Sequence, residues 1–402
     1  MFIGIDCKSL NGKRIKKKGN KMKAKTIKGD SPEEIKMALA ESLLEGQGFK
    51  PTLAIVFMSF KQDMDAVCQL LDIEGIQIFG ATSSGEFISS EIEEESIVIM
   101  LLDMNPAYFR LMFLDAGNST EYEIAKQLGK EGKTTFANAA FIIASGWSNE
   151  MDGEEIIKGI EDGFGGRATI FGGMAGDDLT LTGPKAFTLG KSSITGLVAL
   201  IIDEDKIDIS GVATCGWKPI GITKTITKSE GNIIYTIDDK PALDLVMKYL
   251  GLSLDEQFNN TVFNLGAYYP LQLEREDAPA VMRTAQMGNA EDRSLICAGN
   301  VPQGSKVRFS LPPDFDVIDT VVEECTEVKE ELLQDADAVI MFSCISRYLS
   351  LGIMTSEEVQ RVQDVWNAPL IGFFSYGEYG KSRKGKHEFH NNTCCVVALK
   401  EK

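Results

Sequence analysis

Leu370-Ile371-Gly372-Phe373-Phe374-Ser375-Tyr376-Gly377-Glu378 runs two apolar residues into a glycine and, after four more positions, into a second glycine followed by an acid. The pattern recurs at Ile78-Phe79-Gly80-Ala81-Thr82-Ser83-Ser84-Gly85-Glu86 and, one residue shorter, at Ile170-Phe171-Gly172-Gly173-Met174-Ala175-Gly176-Asp177. Upstream of each lies an alanine, four apolar residues and a serine: Ala54–Ser59, Ala140–Ser145 and Ala338–Ser343. A continuous apolar run of this length fits a strand buried on both faces. Three copies in the same order point to internal duplication.

Working outward, the first unit begins with a short strand, Ala24–Ile27. Asp30-Ser31-Pro32-Glu33-Glu34 then opens a helix, with a capping residue, proline in the first turn and acids at the positive end of the dipole. Ile35, Leu39, Leu43 and Leu44 form its expected apolar face. A second helix from Met64 leads to the strand Ile76–Phe79, the loop, and the closing strand Ile97–Leu102. The second unit starts at Tyr108–Leu114, has helices opened by Asn118-Ser119-Thr120-Glu121 and near Glu154–Glu161, and closes with Leu197–Ile202. The third is expected to start at Val307–Leu311. It continues through a helix over Val317–Leu333 and a helix Ser356–Val365 capped by Thr355 or Ser356, and closes with Cys394–Leu399.

The expected fold class is α/β (α+β), with two domains built from repeated strand–helix–strand–helix–strand units and mixed sheets. Residues 23–238 form the first domain and 239–402 the second, with the boundary at Asp238-Asp239-Lys240 ahead of a proline-led helix. Residues 1–22 read as a basic disordered tail or an overlong gene start.

At 402 residues the chain suits about two domains. The longest apolar runs fall far short of the roughly 20 residues a membrane helix needs, so no membrane insertion is expected. The net charge of −18 argues against nucleic acid or an anionic membrane as partner. Positive charge crowds into the first 28 residues, without interleaved aromatics after Phe2, and residues 29–402 are near −27. The eight cysteines are irregularly spread, with no Cys-x-x-Cys, which reads as reduced thiols in a cytoplasm.

Carboxyl ends of crossover strands are where ligands bind in open α/β sheets. Ser59, Ser145 and Ser343 stand at such ends. Gly80, Gly85, Gly172, Gly173, Gly176 and Gly377 allow close backbone approach. Ser83, Glu86, Asp177, Asp178, Tyr376 and Glu378 supply polar groups suited to a zwitterion or an amine. The same residues also read as turn glycines and backbone-capping acids. Arg347, just after Ser343-Cys344, or Arg283 could clamp a carboxylate bidentately. Cys344 is a candidate nucleophile lacking an evident base, or a buried inert thiol. His390, one of two histidines, is a candidate haem ligand or a hydrogen-bonded residue at a strand entry. With two histidines and no Cys-x-x-Cys, no protein-only zinc centre is expected, and the sequence carries no Walker loop or dinucleotide fingerprint.

Phe79–Glu86 and Phe171–Asp178 resemble the signature loops of the FIST N-terminal domain. Tyr269-Pro270-Leu271, Arg283, Val301-Pro302-Gln303-Gly304, Phe342-Ser343-Cys344 with Arg347, Tyr376-Gly377-Glu378 and His390-Asn391-x-Thr393 resemble the FIST C-terminal domain. The resemblance implies a non-enzymatic sensory module of bacterial intracellular signal transduction that binds small ligands such as amino acids. In many relatives the module is fused to a kinase, cyclase or chemotaxis output domain. No such domain is expected after Lys402, so the signal is expected to pass to a separate output protein, or the module acts alone. One alternative is a haem-binding nitric-oxide sensor with His390 as ligand. A weaker one is a cysteine-dependent hydrolase or transferase using Cys344.

Overall fold

The computed structural model describes residues 21–45, 48–148, 152–251, 258–332 and 335–402. The basic segment ahead of Lys21 lies outside the described residues. The first unit is β1 (Ala24–Gly29), α1 (Pro32–Glu45), β2 (Leu53–Ser59), α2 (Met64–Ile73), β3 (Gln77–Ser83), β4 (Glu86–Ile88), β5 (Glu91–Glu93) and β6 (Ile97–Leu102). The second is β7 (Phe109–Leu114), α3 (Glu121–Thr135), β8 (Ala139–Ser145), α4 (Gly153–Phe164), β9 (Thr169–Met174), β10 (Ala186–Thr188), β11 (Lys191–Ser193) and β12 (Leu197–Asp203).

After β13 (Ile207–Thr214) comes an insert. It holds β14 (Pro219–Glu230), β15 (Ile233–Ile237), β16 (Lys240–Pro241), α5 (Ala242–Leu250), α6 (Phe258–Tyr268), β17 (Leu271–Leu273), β18 (Val281–Arg283), β19 (Ala285–Gly288), β20 (Leu295–Cys297) and β21 (Lys306–Ser310). The third unit resumes with α7 (Asp316–Leu332), β22 (Ala338–Cys344), α8 (Ile345–Leu351), α9 (Thr355–Trp366), β23 (Leu370–Ser375), β24 (Glu378–Lys381), β25 (His387–His390) and β26 (Cys394–Glu401). This is an α+β fold with mixed sheets. No helix among the described residues is long and apolar enough to cross a membrane.

Local chemistry accounts for the helix starts. Thr120 and Glu123 close a reciprocal capping box on α3. Asp152 caps α4 by accepting from the amides of Glu154 (2.9 Å) and Glu155 (3.4 Å). Two details depart from expectation. Leu44, placed on the apolar face of α1, is 85% exposed, because at 3.6 residues per turn it lies about half a turn round the helix from Ile35, away from the buried face of Ile35, Leu39 and Ser42. Neither Thr355 nor Ser356 caps α9; Thr355 Oγ1 instead donates back to the Gly352 carbonyl (2.8 Å), in the turn that joins α8 to α9.

Each unit forms the same sheet. β2, β8 and β22, buried along their whole lengths, pair in parallel with β3, β9 and β23. On their other side they pair antiparallel with β6, β12 and β26. The edge strands are β1, β7 and β13. The third unit therefore starts at β13, not at Val307–Leu311, which lies in β21 and pairs with β14 and β17 of the insert. The insertion separates β13 from its helix, so the strand nearest in sequence is the wrong one. The expected division at 238/239 runs through the insert's sheet, where β14 and β15 on one side pair with β20 and β21 on the other.

The far edge of every sheet comes from another unit. Hairpin β4–β5 adds to β23, β10–β11 adds to β3, and β24–β25 adds to β9. In each case an aromatic residue of the incoming strand lies opposite the first glycine of the motif: Phe87 on Gly372, Phe187 on Gly80 and Tyr379 on Gly172. A Cβ on Gly80 would sit 2.2 Å from the Phe187 ring, and one on Gly372 would sit 2.2 Å from the Phe87 ring. At Gly80 and Gly372 the glycine is a slot for a neighbour's aromatic ring, whereas a Cβ on Gly172 would meet the Ile143 carbonyl. Inner faces of all three sheets share one core, where Phe57, Phe342 and Phe373 meet with centroids 4.5–6.1 Å apart, and the helices cover the outer faces.

Candidate functional site

The three glycine–acid loops leave the carboxyl ends of β3, β9 and β23 and bond to one another. The Ser84 amide donates to the Phe374 carbonyl (3.2 Å) and the Phe374 amide to that of Gly85 (2.9 Å). The amides of Gly176 and Asp178 donate to the carbonyls of Thr82 (2.9 Å) and Ser83 (3.2 Å). The Met174 amide donates to Gly377 (2.8 Å) and the Tyr376 amide to Met174 (3.1 Å). The second glycines permit this approach: a Cβ on Gly176 would lie 2.5 Å from Ser84 Oγ, and one on Gly377 would lie 2.1 Å from the Phe389 ring. Gly85 has φ +108°, a backbone that side chains rarely adopt, and a Cβ on Gly173 would touch Phe342 at 3.0 Å.

The acids of the motif are fully buried and internally bonded. Glu86 accepts from the hydroxyls of Ser83 and Ser96, the latter at 2.9 Å. Glu378 repeats the arrangement, accepting from Ser375 and Thr393 at 2.7 Å each. Burial pushes the pKa of Glu86 up to about 7 and of Glu378 up to about 8, against the hydrogen bonds that favour the charged forms. Asp177 differs. Burial works to raise its pKa, but the Tyr376 hydroxyl (2.5 Å) and the amides of Gly183, Thr182 and Leu181 outweigh it and hold the carboxyl below its ordinary value.

A carboxyl whose pKa is higher in the fold than in the unfolded chain stabilises the fold fully below the unfolded value, and that contribution fades as pH rises through the folded value. Stability is therefore expected to fall between about pH 4.5 and about pH 8. Chemical denaturation across that range should give a flatter profile for Glu378→Gln than for the parent. An unchanged profile would remove Glu378 as a source of the slope.

The strand-end serines have separate partners. Ser59 Oγ donates to Asp178 (2.7 Å), Ser145 Oγ bonds the Tyr379 hydroxyl (2.8 Å), and Ser343 Oγ is buried without a partner. Arg347 is fully buried in an ion pair with Glu358, donates to the carbonyls of Cys215 (2.7 Å) and Asn392 (3.1 Å), and stacks over Trp217 at 5.0 Å. It clamps a carboxylate, as expected of its type, but the protein's own. Cys344 is buried, and burial drives its thiol well above the ordinary range, with Glu378 adding to the effect. That is the reverse of an activated nucleophile.

His390 is 2% exposed, its Nε2 lies 3.2 Å from the Gly380 carbonyl, and burial lowers its pKa to about 3. The cavity that it lines has a volume of about 250 Å³, below the roughly 300–1,000 Å³ usual for drug-sized ligands. A haem macrocycle with an axial bond to this imidazole does not fit there.

Arg283 stands apart from the loops, on the insert, at the wall of a cleft about 540 Å³ in volume. The cleft separates the insert from α4 and β25 and carries both signs of charge: Lys158, Arg275, Arg283 and Lys386 against Glu154, Glu161 and Glu388. Arg283 pairs with Glu154 and donates to the Asn300 carbonyl (2.8 Å). Asn300 in turn donates to the α4 cap Asp152 (2.6 Å), and Arg275 pairs with Glu388 (3.0 Å). Burial raises the Glu154 pKa to about 7, opposed by the Arg283 charge. With a further bond from Arg283 to the Phe389 carbonyl (3.2 Å), these polar links tie the insert to the core across this cleft. Glu154 and Glu358 were missed as site residues because each lies in the first turn of a helix, where an acid reads as a dipole partner. Arg347 on α8 reaches Glu358 on α9 across the turn between the two helices, so no i,i+3 or i,i+4 spacing announces the pair in the sequence.

Residues 52–240 match the FIST N domain and residues 242–381 the FIST C domain. An uncharacterized protein of Methanocaldococcus jannaschii is 22% identical over 370 residues, covering 83% of this chain and 69% of its own length. With both domain matches in order across nearly the whole chain, it belongs to the FIST family, whose domains are sensory modules of signal transduction.

Proposed function

We propose that this chain is a cytoplasmic sensor of amino acids or closely related zwitterions, that the ligand occupies the cleft between insert and core, and that the signal passes to a kinase, cyclase or chemotaxis-type output protein. The observation that carries this reading is the apposition of arginines and carboxylates in one cleft of about 540 Å³. A zwitterion presents a carboxylate for Arg275 or Arg283 and an ammonium for Glu154 or Glu161, whereas an ion of one sign leaves half the cleft unmatched. The same groups hold the insert to α4 and β25. A ligand that competes for them changes how the insert is held, which is the differential interaction a sensor needs. The free thiols of the described cysteines support the cytoplasmic setting.

Thermal unfolding of the full chain with each proteinogenic amino acid tests the reading. A ligand at about 100 times its Kd stabilises by about 2.7 kcal/mol, readily visible as a rise in Tm. At least one amino acid is expected to raise Tm saturably in the millimolar range or below. No shift from any of them would count against this ligand class.

A further inference from the structure

On a different side of the insert, where β13 hands the chain over, lies a second cavity, about 250 Å³ in volume. Among the described residues its one carboxylate is Glu324, on α7, and no lysine or arginine lines it. One oxygen of Glu324 is buried with no hydrogen-bond partner. The cationic groups around it are committed elsewhere. Arg347, behind the Trp217 ring, is neutralised by Glu358, and Arg383 is held by Glu327 and Glu331. The remaining wall combines apolar surface from Trp217, Ala280 and Met282 with the hydroxyls of Thr320 and Ser382. Burial also lifts the Glu324 pKa, the expected response of a carboxylate lacking a cation.

We infer that this cavity is a binding site for a small primary ammonium ion with a short apolar body, with Glu324 as counter-ion. An ammonium group matches a wall that offers a carboxylate and hydroxyl acceptors and no competing positive side chain. The apolar body finds Met282 and the Trp217 edge. An anion is repelled by the carboxylate, and an uncharged alcohol can donate a hydrogen bond to it but leaves its charge unbalanced. The site goes beyond the zwitterion cleft and shares no lining residue with it.

Calorimetric titration of the full chain in phosphate buffer, with propylamine as probe and propan-1-ol and propionate as isosteric controls, tests the inference. Propylamine is expected to bind saturably at one site, with neither control doing so. Glu324→Gln should weaken propylamine at least tenfold, and Ala280→Phe, which fills the cavity and leaves the carboxylate in place, should abolish binding. Circular dichroism establishes that each variant folds; should Glu324→Gln not fold, Ala280→Phe decides alone. Propylamine binding no better than propan-1-ol, or binding that persists unchanged in a folded variant, overturns the inference. Amino-acid binding in the other cleft is read separately with Glu154→Gln, so either site can fail without the other.

Discussion

Phe187→Ala is expected to cost about 3–5 kcal/mol of stability, the range for removing a buried aromatic side chain. Phe187 is wholly buried, yet it belongs to the second unit and packs in the first, over Gly80. The loss should therefore come with a specific rescue. A side chain at position 80 meets only the Phe187 ring among its three nearest atoms. Gly80→Val alone is expected to destabilise by about 1–3 kcal/mol through overpacking. In the Phe187→Ala background the valine enters the vacated space, so the double variant should lose less than the sum of the singles. Urea unfolding of the four proteins measures this cycle. Additive losses would mean that hairpin β10–β11 does not seat on β3 as described.

Arg347→Met is expected to cost about 3–5 kcal/mol, because it leaves the Glu358 carboxylate buried without its partner. The effect is one of an orphaned charge more than of a lost attraction. Arg347→Met combined with Glu358→Leu should accordingly recover most of the stability, since two apolar side chains replace two charges that both had to leave water. Equilibrium unfolding distinguishes the outcomes. If the double variant were as unstable as the single, the carbonyl contacts to Cys215 and Asn392 would have to carry the stability instead.

The sequence made the three units legible because buried strands and capped helices leave local patterns. Ala54–Ser59, Ala140–Ser145 and Ala338–Ser343 each appear as strands at the expected place. What periodicity reports is which face of an element is buried, not which partner covers it. The exchange of hairpins among units therefore left no local trace, and neither did the pairing of β13 with β26. The glycine–acid loops illustrate the difference. Their spacing was visible, but Gly80 and Gly372 owe their identity to Phe187 and Phe87, which come from other copies.

The site was legible in part for a similar reason. Arg283 and Arg347 stood out by type and surroundings, and both prove to hold carboxylates. Which carboxylates they hold depends on long-range packing. Glu86 and Glu378, singled out as ligand acceptors, instead accept from Ser83, Ser96, Ser375 and Thr393 in two copies of one internal arrangement. The repeated unit thus uses these two acids within a copy, and the cleft at the insert brings together charges from α4, the β24–β25 hairpin and the insert that no single repeat contains.

The most direct measurement is a structure of the full chain bound to the amino acid that most raises its Tm. The account predicts the ligand in the cleft between the insert and α4, its carboxylate against Arg275 or Arg283 and its ammonium against Glu154 or Glu161. A ligand held at the three-loop junction beside Glu86 or Glu378, with the cleft unchanged, would contradict it.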